Sequence, residues 1–194
     1  MIGNFGTGPN TVLPAPVVMA QGLTALTFDG AGAAGVNVNS VIASNTSTGA
    51  PLVVGADAAN AGTGILTLEG ANTFSGSVRL ESGTLAVGDA RALGGRTNVL
   101  TIDGGNVRAS TATSIANDIT LNADLNFNGA TSLGVTGAIT GTGAVTSSAS
   151  SASAGVLRLT GINTFNGPLQ VRGRDYAAAA LGGAVGEGGQ PADV

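Results

Sequence analysis

Aliphatic residues recur at every second position in short runs along this chain, as in Leu66 and Leu68, Val78 and Leu80, Leu85 and Val87, Leu100 and Ile102, Ile119 and Leu121, and Leu125 and Phe127. A period of two sends one set of side chains to a single face, the mark of a strand buried on one side. Each run is short. Between them stand residues that favour reversals, as in Asp103-Gly104-Gly105, Asn126-Phe127-Asn128-Gly129 and Gly141-Thr142-Gly143. No window combines helical apolar spacing with helix caps. The pattern predicts many short strands joined by tight turns.

Two stretches also match each other. Gly64-Ile65-Leu66-Thr67-Leu68-Glu69-Gly70-Ala71-Asn72-Thr73-Phe74-Ser75-Gly76 returns as Gly155-Val156-Leu157-Arg158-Leu159-Thr160-Gly161-Ile162-Asn163-Thr164-Phe165-Asn166-Gly167, an offset of 91 residues (163 − 72). Val78 and Leu80 continue the match at Leu169 and Val171; Val36 to Ile42 resembles Leu133 to Ile139, and Ala92-Leu93-Gly94-Gly95 resembles Ala180-Leu181-Gly182-Gly183. Across the copies the alternate aliphatic positions stay aliphatic, whereas Thr67, Glu69, Arg79 and Glu81 become Arg158, Thr160, Gln170 and Arg172. A constant inside with a variable outside distinguishes stacked coils from a β-sandwich, which has no reason to repeat its inward positions at a fixed interval. With rungs of ~20 to 25 residues, 91 residues hold about four rungs and the chain eight or nine. The expected fold is all-β, a right-handed parallel β-helix.

Composition fits a narrow interior. The 194 residues include 33 glycines, 3% aromatics and 9% charged residues, with a mean hydropathy of +0.35. Cys, His, Trp and Lys are absent, which removes disulfides, thiol nucleophiles, the usual zinc ligands, lysine Schiff bases and a histidine base. The formal net charge is −4 and the seven basic residues, all Arg, are scattered from Arg79 to Arg174, so nucleic acid is not an expected partner. No apolar run reaches the ~18 residues of a membrane-spanning helix.

The stretch Gly64 to Leu85 closely resembles the autotransporter-associated β-strand repeat, also called the passenger-associated transport repeat. The resemblance rests on Gly64, Leu66, Leu68, Gly70, Asn72, Thr73, Phe74, Gly76, Val78, Gly83, Thr84 and Leu85, and in the second copy on Gly155, Leu157, Leu159, Gly161, Asn163, Thr164, Phe165 and Gly167. Val135 to Gly143 is similar to the stretch that commonly precedes such a repeat. The second copy departs from the pattern where Gly-Thr-Leu is due, with Gly173-Arg174-Asp175-Tyr176, so that rung is expected to be altered or interrupted. The resemblance implies a β-helical passenger segment of a secreted autotransporter-like protein on the bacterial surface, exported through an outer-membrane translocator barrel and carrying no active site or cofactor of its own.

The Asn-Thr-Phe turns at Asn72 to Phe74 and Asn163 to Phe165 read better as structural corners than as ligand-reading loops, because Asn caps backbone and Phe fills a hollow. Glu69, Arg79, Glu81, Asp89, Asp103 and Arg108 would have to converge over neighbouring rungs to make the acid and base of a glycan-acting β-helix enzyme. A solvated outer face is the simpler expectation. Thr46-Ser47-Thr48 and Thr111-Ala112-Thr113 are too few for an ice-binding array. The Gly-Gly-x-Gly-x-Asp calcium repeat does not occur.

The sequence therefore divides into an extended N-terminal lead-in or cap (1–22), a β-helix with related repeats near 64–87 and 155–172 (23–172), and a Gly/Ala-rich incomplete rung or C-terminal cap (173–194). The expected role is a structural stalk that supports export and folding, with a self-assembling fibre or adhesin module as the alternative and a glycan-acting enzyme behind it. Expected partners are the translocator barrel, neighbouring rungs of a parent protein, or other copies meeting at exposed rung ends; any host or glycan ligand is left unspecified. End-to-end association is expected unless Val12 to Gln21 and Ala177 to Gly189 act as caps.

Overall fold

Strands of three to five residues bury too little to stand alone, and each must find partners on both edges. Coiling the chain solves this by laying each strand on its counterpart from the previous turn. The structure, a computed structural model, describes residues 2–4, 11–19, 23–30, 35–44, 49–55, 64–148 and 155–172. Among them it is all strand and turn, coiled as a β-solenoid.

In chain order the strands are β1 (Ile2–Asn4), β2 (Thr11–Leu13), β3 (Val17–Met19), β4 (Leu26–Gly30), β5 (Gly35–Val38), β6 (Ile42–Ser44), β7 (Leu52–Val54), β8 (Ile65–Leu68), β9 (Val78–Leu80) and β10 (Thr84–Val87). They continue with β11 (Leu100–Ile102), β12 (Asn106–Ala109), β13 (Thr113–Ile115), β14 (Ile119–Leu121), β15 (Leu125–Phe127), β16 (Leu133–Val135), β17 (Ile139–Gly141), β18 (Val145–Ser148), β19 (Leu157–Leu159) and β20 (Leu169–Arg172). One side of the coil is a seven-stranded sheet in the order β1-β4-β7-β9-β11-β14-β17, and the next is an eight-stranded sheet, β2-β5-β8-β10-β12-β15-β18-β20. Strands in the third position pair as β3-β6 and β13-β16-β19. Every pairing between described strands is parallel. Six full turns separate β1 from β17, slightly below the eight or nine rungs expected from the sequence.

Hydrogen bonds run along the coil axis. On the first side the N–H of Leu26 donates to Pro51 O, Leu52 to Ser77 O, Val78 to Val99 O, Leu100 to Asp118 O and Ile119 to Ala138 O, all within 2.8–2.9 Å. Inside, register stacks like on like. Leu26, Leu52, Val78, Leu100, Ile119 and Ile139 form one buried column, and Phe28, Val54, Leu80, Ile102 and Leu121 a second. Val36, Leu66, Leu85, Val107 and Phe127 form a third on the adjacent side. Leu66 and Leu157, the two repeat leucines on which the coil reading depends, are both buried.

The repeat copies do not stand directly above one another. From β8, four steps along the eight-stranded sheet lead through β10, β12 and β15 to β18, and the second copy starts one side further on, at β19. The expected four rungs per 91 residues become four rungs and one side. Turn lengths explain the offset: register pairs Leu26 with Leu52 and Leu52 with Val78, 26 residues apart, but Leu100 with Ile119, only 19 apart. A 91-residue interval is not a whole number of such turns. The unit can move from side to side because each side asks the same thing of its inward residues.

Residues 1–22 include β1, β2 and β3, which stack on β4, β5 and β6. Residues 173–194, with the expected altered rung and cap, lie outside the described residues.

Candidate functional site

The first repeat corner is built on the turn beneath it. Asn72 is buried; its side-chain Oδ1 accepts the N–H of Ile42 at 2.7 Å, its Nδ2 donates to Ala92 O at 2.6 Å, and its own N–H lies 3.1 Å from Arg91 O. One side chain thereby ties three successive turns together. The N–H of Thr73 donates to Ile42 O at 2.9 Å while its side chain faces out. Phe74 is fully buried, and its carbonyl accepts from Gly95 N at 3.2 Å and Asn98 Nδ2 at 3.0 Å.

The glycines of the motif are sites of close approach. A Cβ at Gly70 would collide with Ser40 O, and one at Gly161 with Gly137 O, so the chain passes the turn below too closely for any side chain. Gly83 adds a φ of +77°, next to Thr84, whose N–H donates to Gly64 O at 2.9 Å. Leu85 is fully buried behind it, as Leu66 and Leu68 are in β8. In the second copy Gly155 packs on Thr131 and Gly167 on Gly143, and Leu157 and Leu159 are buried in β19.

The second corner repeats the first downward and lacks it upward. Asn163 Oδ1 accepts the N–H of Ile139 at 3.0 Å, and Thr164 N donates to Ile139 O at 2.8 Å, the geometry of Asn72 and Thr73 on Ile42. Asn163 Nδ2, however, is buried and has no hydrogen-bond partner, and Phe165 is only partly buried.

Two further buried asparagines were not singled out from the sequence. Asn98 accepts the N–H of Gly76 at 3.1 Å and donates to Leu93 O at 2.8 Å, and Asn117 donates to Gly95 O at 2.8 Å and Asn98 O at 3.0 Å. Together with Asn72 they make a polar seam beside the dry columns. A signal existed: Asn98-Val99-Leu100-Thr101-Ile102 and Asn117-Asp118-Ile119-Thr120-Leu121 share the pattern of Asn two residues before an aliphatic-Thr-aliphatic strand, 19 residues apart.

On the outside of the first side, Arg79 Nε lies 2.5 Å from Asp103 Oδ2 and 3.2 Å from Glu81 Oε1, and Asn122 Nδ2 donates to Asp103 Oδ1 at 2.8 Å. The Asn122 amide, helped by the Arg79 guanidinium and opposed by partial burial, holds the Asp103 carboxyl below the usual carboxylate range. The Asp103 contact, its hydrogen bond first and its charge second, raises Arg79 above its ordinary value. A general acid needs the opposite shift in its carboxyl. The remaining residues of the enzyme set do not join this group. Glu69 follows β8 on the adjacent side and lies against Gly88, Asp89 accepts the N–H of Arg91 in a local turn at 2.8 Å, and Arg108 is on β12. Among the described residues no three His, Cys, Asp or Glu side chains gather as a metal site. Register also places Thr101, Thr120 and Thr140 in one outward column above Arg79. Thr113 is in β13, and Thr46 to Thr48 lie outside the described residues.

Comparison with known proteins agrees with this geometry. Residues 61–87 and 152–173 match the family described as passenger-associated-transport-repeat. The chain is also 32% identical over 145 residues to the adhesin BmaC autotransporter of Brucella suis biovar 1 (strain 1330), a stretch that covers 73% of this chain and 4% of that relative. No solved structure matches. Both expected repeats are thus passenger-associated-transport-repeats, set in a β-solenoid.

Proposed function

We propose that this chain, a solenoid carrying two passenger-associated-transport-repeats, is a structural segment of a secreted autotransporter-like surface protein, a stalk whose turn-by-turn folding supports export through an outer-membrane barrel. The observation that carries this reading is the use made of the repeat residues. Asn72, Thr73, Asn163 and Thr164 direct their hydrogen bonds to adjacent turns, and the glycines permit close approach between turns, which supports a stacking role for the motif. Solenoid turns gain stability from their neighbours, so structure can spread outward from the first turns to emerge. The chain has no Cys to be cross-linked before passage. The test is surface display in a Gram-negative host of the chain fused ahead of a translocator barrel, for wild type and for Asn72→Leu with Phe74→Ala. Slower appearance of the double variant at equal barrel insertion is expected; equal rates would overturn the export role.

A second reading, an adhesin module, is favoured by the name of the Brucella relative and by the outward column Arg79, Thr101, Thr120 and Thr140, which offers polar groups in register at strand spacing. Under it, Thr101→Val with Thr120→Val abolishes retention on host-cell glycans without changing the folding of the chain.

A further inference from the structure

The third side of the coil has a gap in its outward column. Register places Ser114, Gly134 and Arg158 one above another on β13, β16 and β19. Ser114 and Arg158 are exposed, and Gly134 between them offers no side chain. A Cβ at Gly134 would collide with Ser114 Oγ, so the Ser114 hydroxyl leans over the bare glycine. Strand spacing sets the backbones of Ser114 and Arg158 about 9.6 Å apart across it. The result is a recess one residue wide, with a hydroxyl below and a guanidinium above.

The polar groups around this recess are not spent on one another. Among the described residues Ser114 Oγ has no hydrogen-bond partner and no carboxylate pairs with Arg158. Ser132, exposed just ahead of β16, accepts the N–H of Val156 at 3.0 Å and keeps its own proton to donate. Nearby carboxylates are engaged elsewhere: Glu81 and Asp103 meet Arg79 on the first side, and Asp118 and Asp124 accept the N–H groups of Ala138 and Ala144 at 2.8 Å. A guanidinium with hydroxyl donors over uncrowded backbone fits an oxyanion, which Arg recognises through paired N–H groups.

The same side carries two more arginines lower down. The run Arg91 to Gly95 lies between the Asn72 corner and β13, since Arg91 O accepts the Asn72 N–H at 3.1 Å and Gly95 O accepts Asn117 Nδ2 at 2.8 Å. Arg91 and Arg96 are exposed and have no ion-pair partner among the described residues, and Asp89 is turned to the backbone N–H of Arg91. With β13, β16 and β19 stacked above this run, Arg96 and Arg158 stand three strand spacings apart, roughly 14 Å along the coil. A single small anion would need only the recess. Positive charge repeated over that length suits an extended chain of anionic groups.

We propose that the third side binds an anionic glycan laid along the coil axis, with a sulfate or carboxylate seated over Gly134 between Ser114 and Arg158 and another meeting Arg96. The inference goes beyond the adhesin reading, whose polar column is on the first side, and shares with it only the premise of a surface location.

The test is binding of the full 194-residue chain to immobilised heparin, with uncharged dextran for comparison. Wild type is expected to hold heparin but not dextran, and to release it as salt screens the charges. Arg158→Ala is expected to weaken binding about tenfold, the loss of one charge-assisted contact, and Ser114→Ala by a smaller factor. Arg96→Ala, outside the strands, repeats the test without touching the stacked sheets and is expected to weaken binding as well. Arg108→Ala removes the same charge from β12 on the second side and is expected to stay within about twofold of wild type, as is Thr101→Val with Thr120→Val. Unchanged circular dichroism and melting temperature in each variant separate a lost contact from a lost fold. No retention of heparin by wild type, equal losses in Arg108→Ala and Arg158→Ala, or a loss confined to the threonine variant would overturn the proposal. Every arm uses purified chain, so a failure of surface display would leave these results standing.

Discussion

Asn72 reaches across 30 residues of sequence to the backbone of Ile42, accepting its N–H at 2.7 Å from a fully enclosed position. The contact replaces a strand hydrogen bond at a corner where the backbone itself turns away. Because the same side chain donates to Ala92 O, Asn72→Ala would leave one donor and one acceptor unpaired, at about 1–3 kcal/mol each. Asn163 has only the downward bond to lose. Urea denaturation is expected to show Asn72→Ala costing about twice what Asn163→Ala costs. Equal losses would mean that the upward bond to Ala92 contributes nothing.

Phe74 and Phe165 occupy the same place in the motif and differ in enclosure. Truncating a fully buried Phe costs about 3–5 kcal/mol. Phe74→Ala is expected in that range, and Phe165→Ala, at a partly buried position, at less than half of it. The comparison is read from denaturation midpoints of the two variants.

The Asp103 cluster sets a pH window. Its carboxyl is depressed by Asn122 and Arg79, so the folded chain holds that proton less tightly than the unfolded chain, whose aspartates titrate near about 3.9. The stabilisation is therefore complete above the unfolded value and lost as pH falls through the folded one. Asp103→Asn cannot titrate there. Melting temperatures of wild type and Asp103→Asn are expected to differ modestly at pH 7 and to converge in acid, once pH has fallen below the unfolded value and through the lower folded one. Since the pair is largely exposed, 1 M salt should narrow the gap at pH 7 as well.

The alternating aliphatic pairs were legible because inward and outward are opposite chemical choices along a strand. Leu66 and Leu68, Val78 and Leu80, Leu85 and Val87, Leu100 and Ile102, and Ile119 and Leu121 all point into the core. The side of the coil each pair occupies was not legible, since all three sides require the same aliphatic filling. Leu66 and Leu157 match in sequence yet sit on different sides, and only register reveals it. The Asn72 and Asn163 corners were recognised as backbone caps, but their partners lie 30 and 24 residues away, on a turn whose length varies. The burial of Asn98 and Asn117 is not legible in the sequence, because a lone Asn beside a strand ordinarily signals an exposed turn. Their burial follows from backbone groups at Leu93, Gly95 and Asn98 that need donors inside the coil.

Gly70 and Gly95 separate two reasons for keeping a glycine. A Cβ at Gly70 would meet the carbonyl of Ser40, and backbone on a packed turn cannot swing aside as a flexible side chain can. At Gly95 the nearest atom to an added Cβ is Asn98 Oδ1 at 3.7 Å, an ordinary contact. Replacing glycine by alanine where the backbone allows it stabilises by about 0.4–1 kcal/mol through the unfolded chain, while forced overpacking costs about 1–3 kcal/mol. Gly95→Ala is accordingly expected to raise the denaturation midpoint or leave it unchanged, and Gly70→Ala to lower it. A Gly70→Ala variant as stable as wild type would mean that the turns at Ser40 and Gly70 stand farther apart than described, and the stacking of β5 on β8 would have to be redrawn.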